Sequence, residues 1–322
     1  MARIVSLGSA LQDVYLIDRD DFSPTPVGEA AIYGKLLVGD KIDIDQISYE
    51  VGGGGLNSTI TFSRCGHEAI LFANISHDPA GMAIIRALDH ENIDSSYLGF
   101  LERKATGTSV ILLDSSGGER TILTHRGASE QFGNISEHDL DLIQPDWLYV
   151  TTLRGDFDTL SRFFTHAKKL GAKIMFNPGL KELEDPQSTL KLLPYVDILN
   201  VNKSEAAKLV PGVTLTELIY HLNNIVNVTI ITNGPMGGIA GDGESTYRFG
   251  IYEDKKVKDT TGAGDAFGSG FLASLAARHT FRQSLIFASA NSTSVVSKLG
   301  ANRGILSAKD SLNLHPMPIQ KI

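Results

Sequence analysis

One short segment, residues 259–271, brings small residues and an acid together. Gly262, Ala263 and Gly264 stand directly before Asp265, and apolar side chains at helical spacing after this acid predict that a helix begins there. Amides at a helix start have no intrahelical partner, and the helix dipole favours an anion there. An anion-binding turn beside a carboxylate suits phosphoryl transfer, in which an enzyme chiefly positions groups and stabilises charge. The alternative is a Gly-rich loop capped by an ordinary N-terminal Asp.

Composition and charge describe an ordinary globular chain. Of 322 residues, 42% are hydrophobic and 20% are charged, which is typical of such proteins. The formal net charge of -8 argues against a protein that binds nucleic acid or a membrane surface. Cys65 is the single cysteine, so neither an intrachain disulfide nor a Cys-based zinc site is expected. The first residues form too short an apolar run for a signal peptide, and no stretch approaches the ~18 apolar residues of a membrane span. We therefore expect a cytoplasmic protein.

The pattern of apolar residues predicts an α/β fold with a mostly parallel central sheet and helices on both faces. Short apolar runs predict strands, and segments with helical spacing alternate with them from about residue 140 onward. The predicted strands are 4–7, 69–75, 147–151, 173–177, 197–201 and 228–232. The predicted helices are 59–65, 82–92, 158–170, 188–193, 204–209 and 265–278.

Two segments differ from this pattern, approximately residues 14–50 and 95–125. Their apolar and polar residues alternate, which indicates strands with one solvated face, and the second contains a hairpin with a Gly-Gly turn. We interpret them as a small β-sheet lid inserted in one domain that spans residues 1–322. Because open strand edges tend to be covered, we expect a homodimer formed through this lid.

Candidate ligand-binding residues follow the first predicted strand and the first of these two segments. Asp13 lies five residues after Gly8, at the carboxyl end of the first strand, where ligands of open α/β sheets bind. Its carboxylate could accept hydrogen bonds from two hydroxyls, although a turn Asp is the alternative. The glycines at 52–55 precede Asn57 and indicate a close approach between backbone and ligand.

Several common sites are excluded by the sequence. It contains neither a P-loop nor the His-Arg-Asp and Asp-Phe-Gly triplets of protein kinases. A Gly-x-Gly-x-x-Ala match at 268–273 falls inside the predicted helix rather than at a strand-to-helix turn, which disfavours a dinucleotide-dependent oxidoreductase. No two His residues show metal-ligand spacing, and Asp43 and Asp45 are better explained as the solvated face of a strand.

Four motifs make the chain resemble the ribokinase-like (PfkB) family of sugar and nucleoside kinases. The most specific is complete at Asp259-Thr-Thr-Gly-Ala-Gly-Asp265. Three others precede it in the family's order: Gly8-Ser-x-x-x-Asp13, Gly52-Gly-Gly-Gly-Leu-Asn57 and Asn202-Lys-Ser-Glu205. Because they span most of the chain, the resemblance implies a ribokinase-like fold and an ATP-dependent kinase.

The resemblance also implies roles for individual residues. It makes Asp265 the general base that takes a proton from the acceptor hydroxyl, and we expect the helix dipole to keep this acid ionised. Gly262, Ala263 and Gly264 would form the anion hole. Asp13, Gly53, Gly54 and Asn57 would hold the substrate's hydroxyls. Asn202, Glu205, Thr232, Gly234, Gly237 and Asn291 would contact ATP. Glu205 would organise Mg²⁺, mostly through water, while Asp259 and the Thr261 carbonyl would hold a monovalent cation such as K⁺.

One departure from the family concerns the acceptor. Ribokinases proper usually carry Lys where this chain has Gly54, which weakens ribose itself as the substrate. The lid segments contain no obvious basic cluster for a sugar phosphate, although Lys35, Arg103 and Lys104 are candidates. The sequence therefore favours a non-phosphorylated polyol or a nucleoside over a phosphofructokinase-type substrate.

Two classes of function remain open at this point. The first is a kinase that phosphorylates the hydroxymethyl group of a ribose-, fructose- or ketogluconate-like sugar, with an adenosine- or inosine/guanosine-type nucleoside as the alternative acceptor. The second is a non-catalytic sugar- or nucleoside-binding regulator on the same fold, which predicts erosion of the Asp265 motif. That motif is intact, so a kinase is favoured.

Overall fold

The computed structural model describes residues 1–18, 25–27, 31–33, 41, 43–114, 120–253, 255–310 and 317–322. Lys35, much of the first predicted lid segment and the predicted Gly-Gly turn lie outside these ranges. The strands are β1 (Arg3–Leu7), β2 (Leu11–Asp18), β3 (Thr25–Val27), β4 (Ala31–Tyr33), β5 (Gln46–Gly52), β6 (Glu68–Phe72), β7 (Asn74–Ile75), β8 (Gly99–Phe100), β9 (Gly107–Asp114), β10 (Arg120–His125), β11 (Trp147–Val150), β12 (Lys173–Phe176), β13 (Ile198–Asn202), β14 (Val228–Thr232), β15 (Gly238–Gly241), β16 (Thr246–Phe249) and β17 (Ile319–Lys321). The helices are α1 (Gly54–Arg64), α2 (Pro79–His90), α3 (Asp139–Ile143), α4 (Phe157–Lys169), α5 (Leu180–Glu184), α6 (Pro186–Leu192), α7 (Lys203–Leu209), α8 (Leu215–Asn223), α9 (Ala263–Ala276) and α10 (Phe281–Val296).

The larger sheet confirms the predicted α/β architecture. Its strand order is β17-β16-β15-β14-β13-β12-β11-β1-β6. Strands β6, β1 and β11 to β14 pair in parallel, while β15, β16 and β17 extend the sheet in antiparallel fashion. Because the parallel strands run in the same direction, their carboxyl ends meet along one edge of the sheet. This edge is formed by β1, β11, β12, β13 and β14. Both cavities described below open at that edge.

Alternating side chains of the central strands fill two apolar layers, one on each face of the larger sheet. Val5 and Leu7 of β1 pack in a core that includes side chains of α4, α6, α7 and α8. Ile4, which precedes Val5 and points to the opposite face, packs in a second core with α1, α9 and α10. The continuous burial of these strands is typical of a parallel sheet covered on both sides. This core fixes α9, and with it the segment from which the sequence analysis began.

The smaller sheet has the order β10-β9-β2-β5 and is built from the two predicted lid segments. Its inner face buries Tyr15, Ile111 and Leu113. Its register places Tyr49, Val14, Val110 and Leu123 in one row on the opposite face. That this sheet moves as a lid stays a prediction. Within the described ranges, no helix has the length and apolar character that crossing a membrane requires.

Candidate active site

The first cavity lies between the smaller sheet and the larger one and measures about 360 Å³. We call it the Asp13 cavity. It is lined by the predicted residues Asp13, Gly53, Gly54, Asn57, Glu205, Thr261, Gly262 and Asp265. Polar side chains from the smaller sheet and from the loop after β11 complete its wall. The structure therefore brings together residues from all four sequence motifs.

The second cavity, of about 800 Å³, lies beside the ends of β13 and β14. We call it the Thr232 cavity. Its wall contains Asn202, Thr232, Gly234, Gly237, Ala263 and Gly264. Most of the remaining wall is formed by small residues and Phe249, Ile251 and Phe267. Its size and its largely apolar wall suit an organic ligand such as a nucleotide.

The start of α9 separates these two cavities. Gly262 and Asp265 line the Asp13 cavity, whereas Ala263 and Gly264 line the Thr232 cavity. Gly262 adopts φ 76°, and a Cβ there would lie 2.6 Å from the Cβ of Ala301, so only glycine fits this turn. The first residues of α9 therefore lie where the two cavities meet, and free amides at a helix start stabilise an anion. The amide of Ala263 also donates to the Thr260 carbonyl over 3.3 Å.

Asp265 is half-buried and has one partner among the described side chains. Asn57 of α1 donates a hydrogen bond from Nδ2 to Asp265 Oδ2 over 3.0 Å. Loss of hydration raises the pKa of Asp265, and the hydrogen bond from Asn57 opposes that rise. The pKa is thus raised, whereas the position at a helix start alone predicts a low value. A raised pKa makes this carboxylate a better proton acceptor near neutral pH.

Asn57 contacts Asp265 and also faces the Asp13 cavity. Its Oδ1 atom is buried and has no hydrogen-bond partner among the described residues. A buried acceptor without a donor is costly. This atom is therefore suited to accept a hydrogen bond from a ligand hydroxyl while Nδ2 holds Asp265 in place.

Asp13 is buried on β2, with 4% of its surface exposed. Burial raises the pKa of this carboxyl to about 7, and the negative charges of Asp259 and Glu50 add to the rise against a hydrogen bond from Ser109. Hydroxyl donors from a ligand would stabilise its charged form. The side chain is placed to bind a polyol, which the turn interpretation does not explain.

The glycine run approaches protein backbone closely and also borders the cavity. Gly53 adopts φ 101°, and a Cβ there would lie 2.5 Å from the Ser9 carbonyl oxygen. A Cβ on Gly54 would lie about 3 Å from the Thr151 side chain. Helix α1 therefore begins at Gly54, five residues earlier than the sequence predicts. The missing Cβ atoms allow α1 to pack on the loop after β1.

Asn202 and Glu205 form a reciprocal cap at the start of α7. The Glu205 amide donates to Asn202 Oδ1 over 3.0 Å, and the Asn202 amide donates to Glu205 Oε2 over 2.8 Å. Asn202 lines the Thr232 cavity and Glu205 lines the Asp13 cavity. Burial raises the pKa of Glu205 despite these bonds. An incompletely compensated carboxylate between the two cavities fits the oxygen ligands that Mg²⁺ prefers.

Asp259 is surrounded by donors instead of cation ligands. Tyr15 donates to Oδ2 over 2.8 Å, and the amide and hydroxyl of Thr261 donate to Oδ1 over 2.9 and 2.7 Å. The Gly300 amide lies 3.3 Å from Oδ2, and Arg120 Nε lies 3.8 Å from Oδ1. Both oxygens of this buried carboxylate are thus engaged by hydrogen-bond donors and a guanidinium. The arrangement does not fit a K⁺ ion, which would need free oxygen lone pairs.

Asn291 lies elsewhere than its expected position beside a nucleotide. It is fully buried between α9 and α10, and neither cavity is lined by it. Its Nδ2 donates to the Ala266 carbonyl, and its Oδ1 accepts from the Leu306 amide, both over 2.8 Å. Because both polar atoms are used within the protein, Asn291 is a core residue. Ser289, Ser292 and Thr293 of the same helix line the Thr232 cavity instead.

Three basic residues near the Asp13 cavity were not predicted from sequence: Arg120, Arg126 and Arg154. Arg126 lines the cavity itself, and electrostatic repulsion from Arg154 contributes to a lowered pKa of Arg126. These residues come from β10 and from the loops after β10 and β11. No local spacing signals such a cluster, because only the tertiary fold brings the loops together.

The chain is similar to known proteins over nearly its whole length. The sequence profile of the pfkB family of carbohydrate kinases matches residues 1–308. A ribokinase from Haemophilus influenzae is 25% identical over 289 residues, covering 87% of this chain and 90% of that relative. An ATP-dependent ribose-1-phosphate kinase from Halopiger xanaduensis is 25% identical over 302 residues and covers 94% of each chain. The solved structure of Arabidopsis thaliana ribokinase complexed with ribose and ATP has a TM-score of 0.76 at 22% identity, over 96% of both chains. This last similarity shows the fold.

Proposed function

The chain belongs to the pfkB family of carbohydrate kinases, phosphotransferases with an alcohol group as acceptor, and on that premise we propose that it transfers the γ-phosphoryl group of ATP to a hydroxymethyl group of a sugar. The observation that carries this proposal is the position of the α9 start between the two cavities. Gly262 and Asp265 line one cavity, and Ala263 and Gly264 line the other. A base and an anion-binding turn at such a junction are what transfer between two bound ligands requires.

Asp265 is proposed as the general base. The hydrogen bond from Asn57 fixes one of its oxygens, and the other makes no hydrogen bond to a described residue. That second oxygen would accept the proton of the acceptor hydroxyl as this hydroxyl attacks the phosphoryl group. The raised pKa supports this role, because a base works best when its pKa approaches the working pH.

The anion hole is proposed at Gly262, Ala263 and Gly264. Amides in the first turn of α9 have no intrahelical acceptor. Among the described residues, apart from its chain neighbours and the backbone of α9 itself, no heavy atom lies within 4 Å of a Cβ built on Gly264, so a phosphoryl group can approach its backbone. The Ala263 amide would have to share its donor with the Thr260 carbonyl. Gly262 therefore contributes chiefly through its left-handed turn, and Gly264 through access.

ATP is proposed in the Thr232 cavity, bordered by Asn202, Thr232, Gly234 and Gly237. Glu205 would hold Mg²⁺, mostly through water, where the two cavities meet. Bound there, the ion would neutralise charge on the transferred group. Asp13, Gly53, Gly54 and Asn57 would hold the acceptor, with Asp13 and Asn57 Oδ1 accepting hydrogen bonds from its hydroxyls.

We also propose a homodimer through the outer face of the smaller sheet. Tyr49, Val14, Val110 and Leu123 form a row across its four strands, and Tyr49 and Leu123 are 63% and 56% exposed. A contiguous apolar row on a solvated sheet face is typical of an interface. Sedimentation velocity should give a dimer for the protein and a monomer for the double variant Tyr49→Lys, Leu123→Lys. A monomeric parent protein would refute this part.

The kinase proposal is tested by acceptor-dependent ADP formation from MgATP with a panel of sugars, sugar acids, sugar phosphates and nucleosides. A kinase gives turnover with at least one sugar-type acceptor. A nucleoside as the preferred acceptor would replace the sugar by the alternative substrate class. Ligand-induced stabilisation across the panel without any ADP would instead identify a binding regulator and refute the proposal.

A further inference from the structure

Arg126 is a charged residue in the Asp13 cavity that the proposed chemistry does not use. It follows β10, caps the short 3-10 helix Gly127–Glu130 and is half-buried against the cavity. Among the described residues its guanidinium forms no ion pair and donates no hydrogen bond. A partly buried guanidinium without a counter-charge is unfavourable unless a ligand supplies one.

Arg154 adds a second positive charge, from a neighbouring cavity of about 480 Å³ that it lines together with Glu130. Its Nε is buried without a hydrogen-bond partner in the described part of the chain. Its ion pair is a long one, with Glu130, whose Oε1 lies 4.0 Å from a terminal nitrogen of Arg154, and Glu184 is close enough to feel its charge. Burial and repulsion by Arg154 lower the pKa of Arg126, and Glu130 only partly opposes this. Arg126 thus places a positive charge in the wall of the Asp13 cavity, and the charge of Arg154 adds to it from the neighbouring cavity.

The backbone that carries Arg154 is strained and held by a buried acid. Arg154 adopts φ 62°, a left-handed conformation that costs a non-glycine residue energy. Glu182, which is fully buried, accepts hydrogen bonds from Thr152 Oγ1 and from the amides of Leu153 and Gly155 over 2.6 to 2.9 Å. Thr151 and Thr152 of this loop line the Asp13 cavity. Glu182 thereby fixes the loop that carries both Arg154 and the part of the cavity wall formed by Thr151 and Thr152.

From these contacts we propose that the acceptor is an anionic sugar, whose phosphate or carboxylate group binds to Arg126, with the charge of Arg154 adding to the attraction, while Asp13 and Asn57 bind its hydroxyls. This inference rests on the proposed function and narrows its substrate class. Guanidinium groups bind both kinds of oxyanion through charge-assisted hydrogen bonds. The same geometry revises the expectation from sequence that a non-phosphorylated polyol or a nucleoside is preferred.

The test compares neutral acceptors with anionic partners of the same carbon skeleton. Ribose is paired with ribose 1-phosphate, fructose with fructose 6-phosphate, and glucose with gluconate and 2-keto-3-deoxygluconate, each with saturating MgATP. We expect kcat/KM for the best anionic acceptor to exceed that of its neutral partner by on the order of 10²-fold. The phosphate and carboxylate series identify which anion is bound.

Variants then assign the effect to the two arginines. Arg126→Ala should raise KM for the anionic acceptor on the order of 10²-fold while KM for ATP stays unchanged, and Arg126→Lys should restore part of the loss. Arg154→Ala should act in the same direction. Arg248→Ala, which removes an exposed guanidinium on β16 away from both cavities, should leave the acceptor preference unchanged. Circular dichroism of each variant controls for folding.

Two outcomes would overturn the inference while leaving the kinase intact. One is turnover of neutral sugars or nucleosides that equals or exceeds that of every anionic partner. The other is an Arg126→Ala variant whose KM for ATP rises and whose kcat/KM falls equally for neutral and anionic acceptors, which would indicate that this guanidinium contacts the nucleotide.

Absence of ADP formation with every acceptor would instead refute the proposed function itself. Melting temperatures in inorganic phosphate then test the arginines without catalysis, because phosphate should stabilise the parent protein more than Arg126→Ala. Equal stabilisation of the two proteins would overturn the inference in that case.

Discussion

The two cavities at the edge of the larger sheet differ in what lines them. The Thr232 cavity, of about 800 Å³, is lined mostly by small and apolar residues. Among its described lining residues, Lys203 alone is charged. The Asp13 cavity, of about 360 Å³, is walled by four charged side chains: Asp13, Arg126, Glu205 and Asp265. A ligand in the first is bound largely through shape and backbone. A ligand in the second must complement specific charges.

This difference explains why sequence motifs predict the proposed nucleotide site better than they predict the acceptor. The backbone positions in the Thr232 cavity need glycines, and Gly237 illustrates this because it adopts φ 74° against the Phe249 carbonyl. Such glycines leave a pattern in the sequence. The charged residues of the Asp13 cavity come from β2, the loop after β10, α7 and α9, so the set that determines which acceptor binds does not form a single motif. Predictions that change a charge in this cavity should therefore alter acceptor chemistry and spare nucleotide binding.

The largest effect is expected for Asp265→Asn. Removing the base should lower kcat by at least about 10²-fold, while the affinity for MgATP, measured by calorimetry, should change little because the Thr232 cavity is unaltered. Asp89→Asn, an exposed carboxylate on α2, is the matched control and should retain full activity. Turnover of Asp265→Asn near that of the parent protein would contradict the assignment of the base.

A smaller effect, dependent on pH, is expected for Asp13→Asn. Because the pKa of Asp13 is raised to about 7, the parent protein should bind acceptor less tightly as the pH falls through 7 and this carboxylate becomes protonated. The variant should bind weakly at every pH, and the dependence centred near 7 should disappear from kcat/KM for the acceptor. KM for ATP should show neither change.

The same residue makes a prediction about stability. A carboxyl whose pKa is raised in the folded state binds more protons folded than unfolded between its usual pKa and 7, so it lowers stability as the pH rises through that window. Asp13→Asn should therefore increase the melting temperature more at pH 8 than at pH 5 in the absence of ligands. An equal increase at both pH values would show that Asp13 does not cause the loss of stability with rising pH.

The smallest effect is expected from K⁺. Because Tyr15, Thr261 and Arg120 already engage the Asp259 carboxylate, replacing K⁺ by tetramethylammonium at constant ionic strength should alter neither kcat nor the melting temperature of the parent protein. Several-fold activation by K⁺, or its stabilisation of the unliganded protein, would show that these donors move aside for the ion.

Much of the fold follows from local pattern. The parallel strands and the α4, α7 and α9 helices were predicted within a few residues, because their apolar runs and helical spacing reflect burial in a layered core. Strands β15 to β17 were not predicted, since β15 is a short Gly-containing strand and β17 is separated from its partner by a long stretch of chain. Helix α1 begins earlier than predicted. Its glycines, which rarely occur inside a helix, allow close packing against neighbouring backbone and are part of its first turn.

The candidate site was predictable to the extent that motifs encode it. The Asp265 segment and Asp13 could be identified from spacing and resemblance, and the structure brings them to one cavity. Asn291 could not be separated from a nucleotide contact by sequence, since its burial depends on how α9 and α10 pack. The arginines near the Asp13 cavity carry no local signal, because a guanidinium is ordinary on any exposed loop.

The central claim is that Asp265 promotes transfer of the terminal phosphoryl group of ATP between the two cavities. Its most direct test uses ATP labelled with ¹⁸O in the non-bridging γ-oxygens, the preferred acceptor from the panel, and mass spectrometry of the products. We predict that the label appears in a phosphorylated acceptor with the parent protein and the Asp89→Asn control, and that the rate falls at least about 10²-fold with Asp265→Asn. Label found only in inorganic phosphate, or in the acceptor at equal rates with and without Asp265, would contradict this account.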